Sequence, residues 1–122
     1  MLLKKTKIAI AGVGTVGSGV IELIKKNSIQ KKFGIEVTAI ASRRKLKKAD
    51  LGFSGINFFN DAQRLINFDN YDILVELIGG DEGISKNIVF DALKKGKSVV
   101  TANKALVSKH WKKLNEITKK KK

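Results

Sequence analysis

The sequence contains no cysteine and a single histidine, so it has few of the side chains that bind transition metals. Disulfides and thiolate metal sites are therefore excluded, and we predict no metal centre. A chain without cysteine fits the reducing cytoplasm, which is the location we expect. No cluster of metal ligands or nucleophiles accompanies His110 in the sequence, and we predict that it lies at the surface.

Long hydrophobic runs are also missing. The longest, Ile73 to Ile78, is interrupted by Glu76 and is far shorter than the roughly 20 residues of a membrane span. The chain start, Met1 to Lys5, is already charged at its fourth residue and lacks the apolar core of a signal peptide. We expect neither a membrane partner nor a secretion signal.

Negative charge is scarce, because 25 Lys and Arg residues face 11 Asp and Glu residues and give a net charge of +14. Such an excess raises the possibility of a nucleic-acid partner. The lysines, however, occur in small groups at predicted helix ends and turns, and not in one stripe interleaved with exposed aromatic residues. We expect non-specific binding at low salt but no specific nucleic-acid partner, and a basic nucleic-acid-binding protein stays the less favoured alternative.

Strands and helices alternate along the 122 residues. The apolar run from Lys7 to Ala11 stops at glycine and predicts a buried parallel strand. The helical spacing that follows predicts one buried helix face, formed by Val16, Val20, Leu23 and Ile24. By apolar runs and alternation, further strands are predicted at 35–41, 56–59, 72–78 and 98–101.

Three further helices are predicted between and after these strands. Asn60 and Gln63 have the spacing of a capping box before Leu65 and Ile66. Ile84, Ile88, Ala92 and Leu93 mark a second helix that ends at Gly96. Ser108 is the predicted cap of a last helix, which would bury Trp111, Leu114 and Ile117.

The alternation of strands and helices predicts an α/β fold. We expect a Rossmann-like doubly wound parallel sheet of about five strands with flanking helices over residues 1–118, followed by a basic tail at 119–122.

The segment Gly12-Val-Gly-Thr-Val-Gly17 lies between the first predicted strand and helix. In that position Gly12 permits a tight turn, Gly14 lets backbone approach a pyrophosphate, and Gly17 allows close helix packing. The helix N-terminus offers free N–H groups to phosphates. The segment therefore predicts a dinucleotide site, the alternative being a glycine-rich turn without a ligand.

Ser42, Arg43 and Arg44 follow the second predicted strand, where NAD enzymes usually place an acidic residue for the ribose hydroxyls. Guanidinium groups bind phosphate in a bidentate manner and suit the 2′-phosphate of NADP. We predict that NADP(H) is preferred and that NAD(H) is possible. The alternative is a solvated basic loop.

Polar residues also occur at the ends of the fourth and fifth predicted strands. Glu76 lies within an apolar strand and would either pair with a basic side chain or face water. Gly79-Gly80 would let backbone approach a cofactor or would simply start a loop. Thr101-Ala-Asn-Lys104 lies on the same edge, where Lys104 would hold an oxygen near the nicotinamide or be a surface lysine.

Three segments together resemble homoserine dehydrogenase: Ile8-Ala-Ile-Ala-Gly-Val-Gly-Thr-Val-Gly-Ser-Gly-Val20, Val75-Glu-Leu-Ile-Gly-Gly80 and Gly96-Lys-Ser-Val-Val-Thr-Ala-Asn-Lys-Ala-Leu-Val107. The resemblance covers residues 7 to about 115. It implies an NAD(P)-dependent oxidoreductase that interconverts aspartate 4-semialdehyde and homoserine, in the biosynthesis of threonine, methionine and isoleucine.

The resemblance also implies roles for individual residues. Those expected to hold the pyrophosphate are Gly12, Gly14, Thr15, Val16 and Gly17. Arg43 or Arg44 would hold the 2′-phosphate. The residues expected to line the nicotinamide side are Gly79, Thr101 and Ala102, and Lys104 would lie beside the nicotinamide and the substrate.

The family continues well beyond this length into a region that binds substrate, supplies a lysine proton donor and forms the dimer. We therefore expect a cofactor domain without its catalytic and dimerisation domain, with no catalytic residue of its own and no turnover alone. An uncovered sheet edge would favour a homo-oligomer or a partner chain that carries the missing half. The alternatives are a stand-alone NADP(H)-binding module, a subunit of a split dehydrogenase, or a related enzyme such as aspartate dehydrogenase or dihydrodipicolinate reductase.

Overall fold

A computed structural model describes residues 5–25, 30, 32–43, 55–78 and 83–120, with the backbone alone described at 15–18. Strands and helices alternate as the sequence predicts. The strands are β1 Thr6–Ala11, β2 Ile35–Ala41, β3 Asn57–Phe59, β4 Ile73–Glu76 and β5 Ser98–Thr101. The helices are α1 Thr15–Lys25, α2 Ile84–Lys94 and α3 Lys104–Lys120, with a 3₁₀ helix at Ala62–Asn67.

The five strands form one sheet in the order β3-β2-β1-β4-β5. Every neighbouring pair is parallel. From β1 the chain builds outward to β2 and β3, and then returns to add β4 and β5 on the other side. The sheet is therefore doubly wound, which confirms the predicted fold class, and its strand order reverses between β1 and β4. Ligands of open α/β sheets bind at the carboxyl ends of the strands at such a point.

The two faces of the sheet carry side chains of different size, because successive residues of a strand point to opposite faces. One face is formed by the four alanines Ala9, Ala11, Ala39 and Ala41. These small side chains pack against the 3₁₀ helix, α2 and α3. The opposite face presents Ile8, Ile10, Val37 and Ile40, and α1 packs on it. The alternation is interrupted at Thr38, where the register of β2 against β1 shifts by one residue, so Val37 and Ala39 point to opposite faces.

The buried face of α1 differs from the prediction. Ile21 and Ile24 are 3% and 8% exposed, whereas Leu23 is 53% exposed. The prediction for Leu23 was wrong and Ile21 was missed. Two residues are a rotation of about 200° around an α-helix, so a helix that buries Ile21 turns Leu23 away from the sheet.

Two helix starts also differ from the prediction. The 3₁₀ helix is capped by Asp61, whose carboxylate accepts a hydrogen bond from the Gln63 amide at 2.9 Å, and not by Asn60. The side-chain oxygen of Asn103 accepts from the Leu106 amide at 3.0 Å, so α3 begins one turn before the predicted cap. Ser108 therefore lies inside the helix. Short side chains with an oxygen acceptor cap helices well, and in both segments a second such residue stands nearby.

Two side chains in the middle of α3 differ in burial from the prediction. Trp111, predicted in the core, is 62% exposed. His110, predicted at the surface, is half-buried, and its ring centroid lies 5.7 Å from that of Phe90. The buried stripe of α3 is formed by Leu106 and Leu114, and His110 lies between them on the same side. The helix is kinked at His110, whose φ of −112° and ψ of 17° are not helical, and Trp111 follows this kink off the buried stripe.

Two elements end at residues other than the predicted ones. β4 stops at Glu76, before the predicted end at Ile78. The helix α3 continues to Lys120 and so includes the first two residues of the predicted tail. Within the described part of the chain, no helix combines the length and apolar character that crossing a membrane requires.

At the amino end of β4, a cluster of charged and aromatic groups joins α2 to the loop before the strand. The Lys95 ammonium lies 2.8 Å from the Asp91 carboxylate and 3.0 Å from that of Asp69. The Lys95 ammonium also donates hydrogen bonds to two backbone carbonyl oxygens, one in the 3₁₀ helix and one in the residue that follows this helix. Lys95 and Lys97 both lie over the ring of Tyr71. We call these five residues the basal cluster.

Candidate functional site

A cleft of about 320 Å³ opens at the carboxyl ends of β1, β2 and β4. It lies at the point where the strand order reverses, which is the expected ligand position in this fold. The turn after β1, the end of β2, the segment after β4 and the starts of the 3₁₀ helix and α2 all contribute to its wall. The lining residues are Gly12, Val13, Gly14, Ala41, Ser42, Arg43, Ala62, Leu77, Ile78 and Ile84.

Gly12 and Gly14 serve different purposes in the turn after β1. Gly12 has a φ of +98°, and a Cβ atom there would lie 3.0 Å from both the Ile78 nitrogen and the Leu77 carbonyl carbon. Only glycine therefore fits at this crossing of two chain segments. A Cβ atom on Gly14 would meet nothing within 4 Å, so the position is open to the cleft. The backbone at Gly14 can thus be approached closely by a ligand.

Helix α1 begins directly behind this turn. Thr15, Val16 and Gly17 form its first turn, and the structure describes their backbone alone. The first N–H groups of a helix have no partner within it, and the helix dipole adds positive charge at that end. The turn and the helix start together form a position suited to a pyrophosphate.

The end of β2 supplies the cleft with a cation. Arg43 is exposed and lines the cleft, whereas Ser42 is buried, with 5% of its surface exposed. Arg44 lies outside the described residues. Among the described residues that line the cleft, none is acidic. The guanidinium group of Arg43 therefore sets the charge of this side of the cleft.

Glu76 at the end of β4 is completely buried, with 0% exposed surface. One carboxylate oxygen accepts a hydrogen bond from the Ile78 amide at 2.7 Å, and the other accepts from the Thr101 hydroxyl at 2.6 Å. Of the two alternatives for Glu76, a position facing water is wrong, because β4 lies between β1 and β5 and is not an edge strand. The carboxylate joins the carboxyl ends of β4 and β5.

These hydrogen bonds continue from Thr101 into α3 and α2. The Thr101 hydroxyl oxygen accepts from the Asn103 amide at 2.9 Å, and the Asn103 side chain donates to the Ser85 hydroxyl at 3.0 Å. Asn103 also caps α3 by accepting from the Leu106 amide. We call the set from Glu76 through Thr101 and Asn103 to Ser85 the edge network.

The structure brings some of the predicted site residues together and separates others. Gly12, Gly14 and Arg43 line the same cleft. Thr101 is the last residue of β5, and Ala102 and Lys104 follow it at the same edge of the sheet. The exposed Lys104 is the first residue of α3. Gly79 lies outside the described residues.

Sequence reasoning missed several residues of this edge. Ala62 and Ile84 line the cleft from the starts of two helices, and a pattern that considers one segment at a time gives no signal for them. Asn103 lies inside the Thr101–Lys104 segment, and its capping role could have been recognised from its residue type. Nothing in the sequence indicated the contact between Asn103 and Ser85.

A doubly wound parallel sheet with a glycine turn, a helix N-terminus and a cleft at the reversal of strand order is the architecture of a dinucleotide-binding Rossmann domain. A family model described as "Homoserine dehydrogenase, NAD binding domain" matches residues 12–122. The chain therefore belongs to the homoserine dehydrogenase family through this NAD(P)-binding domain, as its sequence motifs predict.

Similar proteins agree with this assignment. The homoserine dehydrogenase of Pseudomonas aeruginosa is 39% identical over 112 residues, which are 88% of this chain and 25% of that enzyme. A crystal structure of the Staphylococcus aureus homoserine dehydrogenase at pH 7.0 shares 37% identity with a TM-score of 0.79, covering 98% of this chain and 31% of that chain. A hyperthermophilic archaeal homoserine dehydrogenase mutant in complex with NADPH has 26% identity and a TM-score of 0.73, over 96% of this chain and 41% of that chain.

The 122 residues thus span about a quarter of the length of the curated relatives that they match. The matched part is the nucleotide-binding domain.

Proposed function

We propose that the cleft binds NADP(H), with the pyrophosphate at the glycine turn and the adenosine 2′-phosphate at Arg43. The observation that carries this proposal is the position of Arg43 in the same cleft as Gly12 and Gly14. The open Cβ position of Gly14 supports the fit, because a phosphate can approach its backbone. The remaining pyrophosphate ligands are Thr15, Val16 and Gly17 at the start of α1.

The preference for NADP(H) over NAD(H) rests on charge. A guanidinium group forms bidentate hydrogen bonds to a phosphate, whereas the ribose hydroxyl of NAD is best bound by a carboxylate. The described lining of the cleft includes Arg43 and no carboxylate. Arg44 is a second candidate for the 2′-phosphate. The NADPH complex of the archaeal relative supports the same choice.

The nicotinamide end of the cofactor is assigned to the ends of β4 and β5. With the adenosine at the end of β2 and the pyrophosphate after β1, the dinucleotide extends across the reversal of strand order toward those strands. We place Gly79, Thr101 and Ala102 beside the nicotinamide. The exposed ammonium of Lys104 would hold a carbonyl or hydroxyl oxygen there.

The reaction we propose for the complete enzyme is the interconversion of aspartate 4-semialdehyde and homoserine, a cytoplasmic step in the biosynthesis of threonine, methionine and isoleucine. NADPH supplies the hydride, and the residues described above bind and orient it. The matched region is the cofactor domain, so contacts to the substrate are expected from residues beyond this span. We therefore expect cofactor binding without turnover by the 122-residue chain.

A calorimetric titration of the chain with NADPH and NADH tests the proposal. NADPH should bind at least tenfold more tightly than NADH, and Arg43→Ala should remove most of this difference, because a charge-assisted contact to the phosphate is lost. Arg64→Ala removes the same charge from an exposed position outside the described cleft lining and is the matched control. It should leave the ratio unchanged.

Two results would contradict the proposal. Equal or tighter binding of NADH would exclude the preference for NADP(H), and a folded chain that binds neither nucleotide would exclude the site. Oxidation of NADPH on addition of aspartate 4-semialdehyde, followed at 340 nm, would show that this span already contains what turnover needs.

A further inference from the structure

We propose that Glu76 is a positioning residue for the nicotinamide end of the cofactor, and that it acts through Ile78 and Thr101 without touching the cofactor itself. The inference rests on the proposed function, because that function places the nicotinamide at this edge. Neither the glycine motif nor the arginines account for a buried glutamate at this position.

The complete burial of Glu76 indicates a role beyond packing. Leu74, two residues earlier on the same face of β4, is an ordinary core residue with 0% exposed surface. An apolar side chain at position 76 would continue that pattern, whereas a buried carboxylate costs free energy unless hydrogen bonds replace its water. The hydrogen bonds from Ile78 and Thr101 are short and take the place of water. A carboxylate therefore stands where the strand pattern favours an apolar side chain, and its two oxygens bind chain segments on different strands.

On the β4 side, Glu76 fixes the backbone where it leaves the sheet. The Ile78 amide that it binds contains the same nitrogen that would lie 3.0 Å from a Cβ atom on Gly12. The position of this amide therefore sets the spacing between the segment after β4 and the glycine turn. A shift of Ile78 would move the segment that leaves β4 at the nicotinamide end.

On the β5 side, Glu76 fixes the start of α3. Its second oxygen holds the Thr101 hydroxyl, which in turn accepts from the Asn103 amide. Asn103 is anchored to Ser85 of α2 and caps α3. Lys104 is the next residue, so the backbone that carries its side chain is held on both sides by these contacts.

The hydroxyl of Thr101 has one hydrogen, and that hydrogen is donated to Glu76. Thr101 therefore contributes to the nicotinamide side through its position and not by donating a hydrogen bond to the cofactor. Both chain segments that flank the nicotinamide end are tied to the same carboxylate. The adenosine end, at Arg43, is not part of the edge network.

Binding of two ligands by matched variants tests this inference. NADPH reaches both ends of the site, whereas 2′,5′-ADP carries the adenosine 2′-phosphate and lacks nicotinamide. Glu76→Gln keeps the shape and removes the charge, and Thr101→Val removes the hydroxyl at constant shape. Each should weaken NADPH about tenfold, because the segments at the nicotinamide end are no longer held in place, and change 2′,5′-ADP by less than about twofold.

Two control variants accompany them. Thr101→Ser keeps the hydroxyl and should restore NADPH binding to within about twofold of the unsubstituted chain. Glu36→Gln makes the same chemical change at an exposed position of β2 and should alter neither ligand. If Glu76→Gln fails to fold, as judged by thermal unfolding, the Val and Ser variants of Thr101 decide the question.

An NMR spectrum provides a second readout. The Ile78 amide proton should resonate far downfield, because its nitrogen lies 2.7 Å from a carboxylate oxygen, and Glu76→Gln should move it upfield. The Asn103 and Lys104 amides should shift in the same variant. Unchanged Asn103 and Lys104 amide resonances in Glu76→Gln would show that the carboxylate does not set the position of the start of α3.

The outcomes separate this inference from the proposed function. If the folded chain binds neither ligand, the cofactor site fails and the inference fails with it. If 2′,5′-ADP binds but NADPH binds no more tightly, or if Glu76→Gln weakens both ligands equally or neither, the cofactor site stands and the positioning role is overturned.

Discussion

The two ends of strand β4 carry polar clusters of opposite character. The edge network at the carboxyl end is centred on Glu76, which is fully buried and bound by an amide and a hydroxyl. The basal cluster at the amino end is centred on the Lys95 ammonium, which binds Asp69 and Asp91, and the Asp69 carboxylate is largely exposed. The Lys95 ammonium is largely buried but is paired with two carboxylates, whereas the described partners of the Glu76 carboxylate are a neutral amide and a neutral hydroxyl. The amino end of β4 thus holds its charge in ion pairs, and the carboxyl end holds its charge beside the cofactor site that we propose.

The largest effect is expected from Gly12→Ala at the carboxyl end. The strained φ should destabilise the fold by about 1–3 kcal/mol, and the collision with the segment after β4 should weaken NADPH about 100-fold or more. Gly14→Ala is the matched change, because its Cβ atom meets nothing within 4 Å. It should weaken NADPH while leaving the unfolding temperature nearly unchanged, as measured by calorimetry. Equal losses of stability in the two variants would show that the geometry of the turn is not as described.

A smaller effect, on stability and not on NADPH binding, is expected at the amino end of β4. Lys95→Met removes an ammonium that holds two carboxylates and two carbonyl groups, and the free energy of unfolding should fall by about 1–2 kcal/mol. The affinity for NADPH should not change. Lys94→Met, at the exposed neighbouring position, is the control and should leave urea unfolding unaltered. A loss of NADPH binding in Lys95→Met would remove the distinction between the two ends.

The smallest expected effect is a loss of stability at alkaline pH. Burial of the phenol raises the pKa of Tyr71 above its ordinary value of 10.0, although the charge of Lys95 opposes this. Burial acts to lower the pKa of Lys95, but hydrogen bonds to Asp91 and Asp69 outweigh it and hold the pKa above 10.5. Both groups bind their protons more tightly in the folded chain, so their stabilisation is complete below pH 10 and is lost as the pH rises through the folded pKa values.

Urea unfolding between pH 8 and 11 measures this dependence. The free energy of unfolding should fall above about pH 10, and the fall should be shallower in Lys95→Met and in Tyr71→Phe. A stability that stays constant over this range would mean that the basal cluster does not hold these protons.

The sequence predicted those parts of the fold that depend on local pattern. The strands Ile35–Ala41 and Ser98–Thr101 were predicted with their observed bounds, and the glycine turn was placed between β1 and α1. The cleft could be predicted as far as Gly12, Gly14 and Arg43 in its lining, because each follows a recognisable strand.

What the sequence could not supply depends on contacts between distant residues. One partner of Glu76, Thr101, lies 25 positions away on another strand. Leu23 and Trp111 have the same hydrophobicity as buried residues, and only the rotation of each helix on the sheet decides that they are exposed. The cap of α3 was misplaced because Asn103 and Ser108 are both good capping residues, and packing of Asn103 on Ser85 selects between them.

Arg43 projects from the end of β2 with an exposed side chain, while its neighbour Ser42 ties the backbone to β3 through a hydrogen bond from its amide to Phe59. Replacement of that one side chain alters the charge of the cleft and leaves the core untouched. If Arg43 binds the 2′-phosphate as proposed, a change of cofactor preference requires no repacking of the sheet. The edge network at the ends of β4 and β5 is different, because each of Glu76, Thr101 and Asn103 is bound to another member, so a substitution at one of them disturbs the others.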